Sequence, residues 1–159
     1  MVDMLVRLYD LPEGGGLRAE LASRGITIRP CRPYEAHIVA TWVGENFSHR
    51  WVSEFNIAMA HQPCGCFIAT QESRVLGFAC VDTTARGYIG PMGVQEDARG
   101  TGLGKALLIT ALEQMRHLGY AYAVIGGVGP CDFYRRTVGA IEIPGSTPGI
   151  YADILPEKN

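Results

Sequence analysis

The stretch Arg99-Gly100-Thr101-Gly102-Leu103-Gly104-Lys105 constrains this chain more than any other. It sits between a short apolar run at 88–94 and an apolar-striped segment that continues to Leu118, the order of a strand, a tight loop and a helix. Glycine at alternate positions leaves the backbone bare, so a ligand can approach its N–H groups closely. The first turn of a helix has unpaired N–H groups and the positive end of the macrodipole. Together these form an anion site suited to phosphate. Arg99 and Lys105 add positive charge on either side. The competing reading of the same residues is a Gly-rich helix cap that binds nothing.

Two common phosphate loops do not fit. The P-loop spacing has Arg99 where its first Gly belongs and Ala106 where its metal-binding hydroxyl belongs. The dinucleotide spacing G-x-G-x-x-G has Lys105 where its third Gly belongs. What the segment 99–104 does fit is [QR]-x-x-G-x-[GA].

With 159 residues the chain is long enough for one domain with its own core. A net charge of −2 and the absence of a Lys/Arg-rich block argue against nucleic acid or an anionic membrane as partner. No apolar run is long enough for a membrane helix, and the N-terminus lacks the pattern of a signal peptide. The five cysteines, Cys31, Cys64, Cys66, Cys80 and Cys131, are odd in number, irregularly spaced and form no C-x-x-C pair. Free thiols in a cytoplasmic setting are therefore expected, with no metal.

In chain order, residues 4–11 read as a short strand ending at Pro12, Glu13-Gly14-Gly15-Gly16 as a flexible break, and 17–24 as helix closed by Gly25. Residues 1–25 are expected to form an appendage on a main domain at 26–159. Residues 26–32 alternate like a strand, and 34–47 carry a helical stripe of Ile38, Val39, Trp42 and Val43. Ser48 is placed to cap a helix at 49–61. There Trp51, Phe55 and Met59 recur every four residues and read as core, unless Trp51 or Phe55 also lines an acceptor pocket. Residues 66–70 and 75–81 form a hairpin. The strand at 88–94 contains Gly90, Pro91 and Gly93, which favour a bulge and leave backbone groups free to bond something else. A helix at 102–117, a buried strand at 120–128, a short helix capped by Asp132 and ended by Gly139, and strands at 140–143 and 150–155 complete the chain.

The loop at 99–104 resembles the acyl-CoA-binding loop of the GCN5-related N-acetyltransferases, the GNAT family. A second segment, Phe133-Tyr134-Arg135-Arg136-Thr137-Val138-Gly139-Ala140, is similar to the family's F-Y-x-k-x-G-F, with one extra residue before the Gly and Ala in place of the last Phe. The element order over 26–155 is also that of the family. The resemblance implies an α/β (α+β) fold, a single domain with a central mixed, mostly antiparallel twisted sheet flanked by helices. It implies acetyl-CoA as cosubstrate. The pyrophosphate is then expected on Arg99, Gly100, Thr101, Gly102, Leu103, Gly104 and Lys105. The pantetheine arm is expected to insert like an extra strand beside Met92, Gly93 and Val94. One departure stands out: where many members place an Asn after the fifth strand, this chain has Gly127-Val128-Gly129-Pro130, so any contact there must come from backbone.

The activity so implied is transfer of an acetyl group to a primary amine of a small molecule by direct attack on the thioester. The tail at 139–151 resembles that of a subgroup with amino-sugar substrates. A non-catalytic acyl-CoA-binding module and a protein or peptide N-acetyltransferase are the alternatives. A homodimer is compatible with the resemblance. Acetyl transfer needs a donor for the developing oxyanion, and the N–H of Gly93 or Val94 is the candidate. By resemblance, Tyr134 is the general acid that protonates the leaving thiolate. The base stays open among Glu54, Asp82 and His49. His37, His61 and His117 are expected to be structural or exposed.

Overall fold

A computed structural model describes residues 1–158. Its seven strands are β1 (Val2–Arg7), β2 (Thr27–Pro30), β3 (Cys66–Gln71), β4 (Arg74–Val81), β5 (Tyr88–Val94), β6 (Tyr122–Val128) and β7 (Ile141–Glu142). The five α-helices are α1 (Gly15–Ser23), α2 (Ala36–Asn46), α3 (His49–Ala60), α4 (Leu103–His117) and α5 (Cys131–Val138). The strands form one mixed sheet in the order β2-β3-β4-β5-β6-β1-β7. Every neighbouring pair is antiparallel except β5 and β6.

Alternation along the strands divides the core between the two faces of the sheet. Phe67, Ala69, Ala79 and Val81 point to the face covered by α4 and join Leu103, Leu107, Leu112 and Met115. Cys66, Ile68, Phe78 and Cys80 point to the face covered by α2 and α3, against Val39, Val43 and Phe55. Ser48 caps α3 as expected, its hydroxyl accepting the Trp51 N–H at 3.3 Å. Phe55 lies wholly in the core, whereas the neighbouring Trp51 stacks on Phe47 with ring centroids 4.9 Å apart.

Three expectations are corrected. Residues 1–25 do not form an appendage. β1 is an inner strand between β6 and β7, and Met4, Val6, Leu8 and Leu21 are fully buried in the α4-side core. Gly15 and Gly16, read as part of a flexible break, instead open α1, and α1 is fastened to α4 by an ion pair between Arg18 and Glu113 at 3.2 Å. Residues 150–155 are not a strand. A single 3-10 turn, Gly149–Tyr151, opens them, and positive φ at Gly149 (+56°) and Asp153 (+59°) interrupts any extended run. Asp132 is not the cap of α5. Pro130 holds that position, and Asp132 lies in the first turn, where it accepts from Arg135 at 2.8 Å.

Candidate active site

The cleft is made by the one parallel strand pair. β5 and β6 are in register only at Tyr88↔Val124 and Ile89↔Ile125, and beyond that point they separate. Each strand is bulged where the separation begins. Between the pairs Val81↔Ile89 and Ala79↔Met92, β5 carries one residue more than β4, at Gly90-Pro91. Between Val2↔Val128 and Met4↔Ile125, β6 carries one more than β1, at Gly126-Gly127. An added residue bends its strand and re-aims the residues beyond it. The buried carboxylate of Asp3 holds the second bulge, accepting the Gly127 N–H at 2.8 Å and the Tyr88 hydroxyl at 3.3 Å.

The gap exposes particular backbone groups of β5. The Gln95 N–H donates to Leu76 O at 2.8 Å. Bonded pairs alternate in an antiparallel ladder, so the next is Phe78 with Gly93. Gly93 therefore spends its N–H on β4, while Met92 and Val94 turn theirs toward the gap. Val94 O, on that same side, accepts from Arg99 Nε at 3.3 Å. Of the two oxyanion donors expected, the ladder leaves Val94. Gly93 has a separate reason to be glycine: a Cβ there would collide with the Phe47 ring.

The Gly-rich loop follows β5 after one 3-10 turn, Glu96–Ala98. Gly102 is the N-cap of α4 with φ +86°, a left-handed conformation that side chains rarely adopt. The first backbone bond of α4 runs from Ala106 N–H to Gly102 O, so the N–H groups of Leu103, Gly104 and Lys105 have no acceptor within the helix. The N-terminal segment braces the loop from behind: Arg24 donates to Thr101 O at 3.0 Å, and Leu17 lies 3.4 Å from the Cβ position of Gly102. The Thr101 hydroxyl closes the loop on Ala98 O at 2.7 Å. Arg99 and Gly104 thus lie against Val94 at the end of β5, and of the expected cofactor residues Met92 lines the cleft between β5 and β6 while Gly93, Val94 and residues 99–105 do not.

Between the diverging strands lies a cleft of about 1050 Å³. Ile89, Ile125 and Leu108 form its floor, and Tyr134 enters it from α5. Burial pushes the Tyr134 phenol above its usual range, which keeps its proton on. Gly139 ends α5 with φ +64° as a left-handed cap, so the extra residue in the segment 133–140 is absorbed inside the helix.

Of the three candidate bases, Glu54 alone lines the cleft. It accepts the Thr84 hydroxyl. Asp82 accepts the Gly87 N–H at 2.7 Å and the Tyr120 hydroxyl at 3.0 Å, a turn-fixing role. His49 faces a shallow depression beside Gly44 and Val52 instead. His61 bonds Asp82 O at 2.8 Å and is structural. Tyr151 also enters the cleft; burial, with Asp3, Tyr88 and Glu54 nearby, raises its phenol to about 12. Tyr151 was not legible as a site residue, because nothing in its local sequence marks the 3-10 turn that delivers it.

In this α/β domain the single parallel pair opens beside a helix start whose first N–H groups are unpaired. The chain belongs to the acetyltransferase (GNAT) family, whose model matches residues 26–140. Similar solved structures include the GCN5-related glucosamine N-acetyltransferase region of a fungal multi-domain GH3 β-N-acetylglucosaminidase (TM-score 0.74, 18% identity, covering 89% of this chain and 19% of that one). A GCN5-related N-acetyltransferase from Sphaerobacter thermophilus is similar over 89% of this chain and 48% of its own (TM-score 0.68, 21% identity). A GNAT acetyltransferase from Brucella melitensis in complex with acetyl-CoA is similar over 70% of this chain and 80% of its own (TM-score 0.56, 21% identity). The chain thus spans less than half of the first two. No curated protein matches it.

Proposed function

We propose that the protein transfers the acetyl group of acetyl-CoA to a primary amine of a small molecule. The observation that carries this is a helix start with unpaired N–H groups set against Val94 at the end of β5, while the preceding β5 residues Gly90, Pro91 and Met92 line a cleft that the half-buried Tyr134 enters. The bound acetyl-CoA of the Brucella melitensis neighbour supports the choice of cosubstrate.

The pyrophosphate rests on the N–H groups that open α4, and the pantetheine arm runs between β5 and β6 beside Met92, Gly93 and Val94. The neutral amine attacks the thioester carbonyl carbon, forming the C–N bond. The Val94 N–H stabilises the oxyanion of the tetrahedral intermediate. On collapse the C–S bond breaks, and Tyr134 O–H protonates the departing thiolate. Glu54 takes the protons lost by the attacking nitrogen; one is relayed to the Tyr134 phenolate, restoring the acid, and the other passes to solvent. The five free cysteines support a reducing, cytoplasmic setting, and burial pushes the Cys31 thiol up to about 12.

Thiol release from acetyl-CoA, measured across aminoglycosides, amino sugars, polyamines, amino acids and peptides, tests this function. Amine-dependent release of CoA with a matching N-acetyl product is expected. Tight acetyl-CoA binding without release for any amine would make the protein a binding module instead. Release with peptides alone would make it a protein-modifying enzyme.

A further inference from the structure

The acceptor end of the cleft holds one uncommitted charge and few uncommitted hydrogen-bonding groups. Glu54 accepts only the Thr84 hydroxyl and pairs with no cation among the described residues. Of the other polar groups of this wall, the Tyr151 hydroxyl and the Trp51 indole N–H have no partner among the described residues, and the remaining side chains are used within the protein. The Ser53 hydroxyl donates to His49 O at 3.3 Å, and that of Thr147 to Met1 O at 2.8 Å. Arg50 is taken by the C-terminal segment, pairing with Glu157 at 3.6 Å and donating to Leu155 O. Most of what remains of the wall is apolar surface: the Trp51 ring, Pro91, Met92, Ile154 and Leu155. Ile154 and Leu155 are 53% and 85% exposed, so they have apolar surface left to cover.

Resting on the acetyltransferase function above, we infer that the acceptor is a monoamine with an apolar body, an alkylamine or arylalkylamine. Its ammonium meets the Glu54 carboxylate in a charge-assisted hydrogen bond, and its hydrocarbon buries against the apolar wall. An amino sugar loses water from several hydroxyls and finds few partners for them, since Ser53 and Thr147 already donate elsewhere and the Tyr151 hydroxyl and Trp51 indole N–H are what is left. A polyamine brings a second ammonium to a wall without a second free carboxylate: Asp3 is 4% exposed and committed to Gly127 and Tyr88. The carboxylate of an amino acid faces Glu54 with Arg50 already engaged. The overall step balances: the ammonium form of the amine and the thioester give amide and thiol, one ammonium proton ending on sulfur and one released to solvent.

The test is kcat/KM for n-butylamine, n-hexylamine, 2-phenylethylamine, D-glucosamine, spermidine and L-lysine at saturating acetyl-CoA, with acetyl-CoA binding measured in parallel. The expected result is a rise of about three- to fourfold per added methylene from butylamine to hexylamine, with glucosamine, spermidine and lysine at least tenfold (~10×) below hexylamine. Glu54→Gln is expected to raise the KM for hexylamine at least tenfold (~10×) while leaving acetyl-CoA affinity unchanged. A better kcat/KM for glucosamine, spermidine or lysine than for hexylamine overturns the monoamine inference and leaves the acetyltransferase function standing. An unchanged hexylamine KM in a folded Glu54→Gln protein also overturns it. No turnover of any amine by protein that binds acetyl-CoA overturns the function itself, and the inference with it. The chain-length series uses the wild-type protein, so it decides even where the variant does not fold.

Discussion

Asp3 Oδ1 accepts the N–H of Gly127 at 2.8 Å, tying the inner strand β1 to the bulge on the β6 lip of the cleft. Because Asp3 is buried, removing its carboxylate strands the Gly127 N–H. Such a loss costs about 1–3 kcal/mol. Asp3→Ala is expected to lower Tm by roughly 5 °C or more and to weaken acetyl-CoA binding as the lip relaxes. Asp3→Asn keeps an acceptor for the Gly127 N–H and is expected to lose less. Thermal melts of the two variants check this; equal losses would assign the effect to charge alone.

That contact also marks the limit of what the chain reveals locally. The strand at 88–94, the helix cap at Ser48 and the loop at 99–105 are written in short-range signals: glycine and proline placement, a capping hydroxyl, helical periodicity. The inner position of β1 is not, because its pairing of Val2 with Val128 is remote in sequence and a Gly-rich break comes after it. Likewise Glu54, Asp82 and His49 look equivalent as residues. Only tertiary placement turns one toward the cleft, spends another on a turn and leaves the third on the far side of α3.

Gly102 sits at φ +86° with its Cβ position 3.4 Å from Leu17, so a β-branched side chain strains the loop and presses on α1. Strain of this kind costs about 1–3 kcal/mol. Gly102→Val is expected to weaken acetyl-CoA binding at least tenfold (~10×) as the loop N–H groups lose their aim. Gly104 has helical backbone, and its Cβ position lies an ordinary 3.7 Å from Val94. Gly104→Ala is expected to keep affinity within about threefold, since alanine suits a helix interior better than glycine. Calorimetric titration with CoA distinguishes the two.

Tyr134 loses only its hydroxyl on replacement by Phe. A general acid typically contributes about 100- to 10,000-fold, so Tyr134→Phe is expected to lower kcat at least tenfold (~10×) where thiolate departure limits the rate, with acetyl-CoA affinity little changed. Burial raises the Tyr134 phenol, so the protonated, active form persists as pH rises past the ordinary phenol value of about 10. The alkaline fall in wild-type kcat is expected above that pH and is absent in the variant. Turnover within about twofold of wild type would remove Tyr134 from the chemistry.

Glu35 is held down to about 2, first by its hydrogen bond from Arg29 and then by the Arg32 N–H. The Arg29–Glu35 pair lies at 2.6 Å with both side chains about one-fifth exposed. A depressed folded pKa contributes stability that is full above the unfolded value near 4.3 and is lost as pH falls toward 2. Discounted for partial exposure, the pair contributes on the order of 1–2 kcal/mol. Glu35→Gln is therefore expected to be less stable than wild type at pH 7 by that amount. Urea melts should show the difference shrinking from about pH 4.5 downward; a pH-independent difference would mean packing, not charge.

The separation of β5 from β6 beside the anion loop is the centre of the account, and a crystal structure with CoA bound reads it directly. The expected result is pyrophosphate oxygens about 3 Å from the N–H groups of residues 102–105, with the pantetheine arm lying between the strands and bonded to the Val94 backbone. CoA bound at another place, with the loop free and the gap between β5 and β6 unfilled, would contradict it.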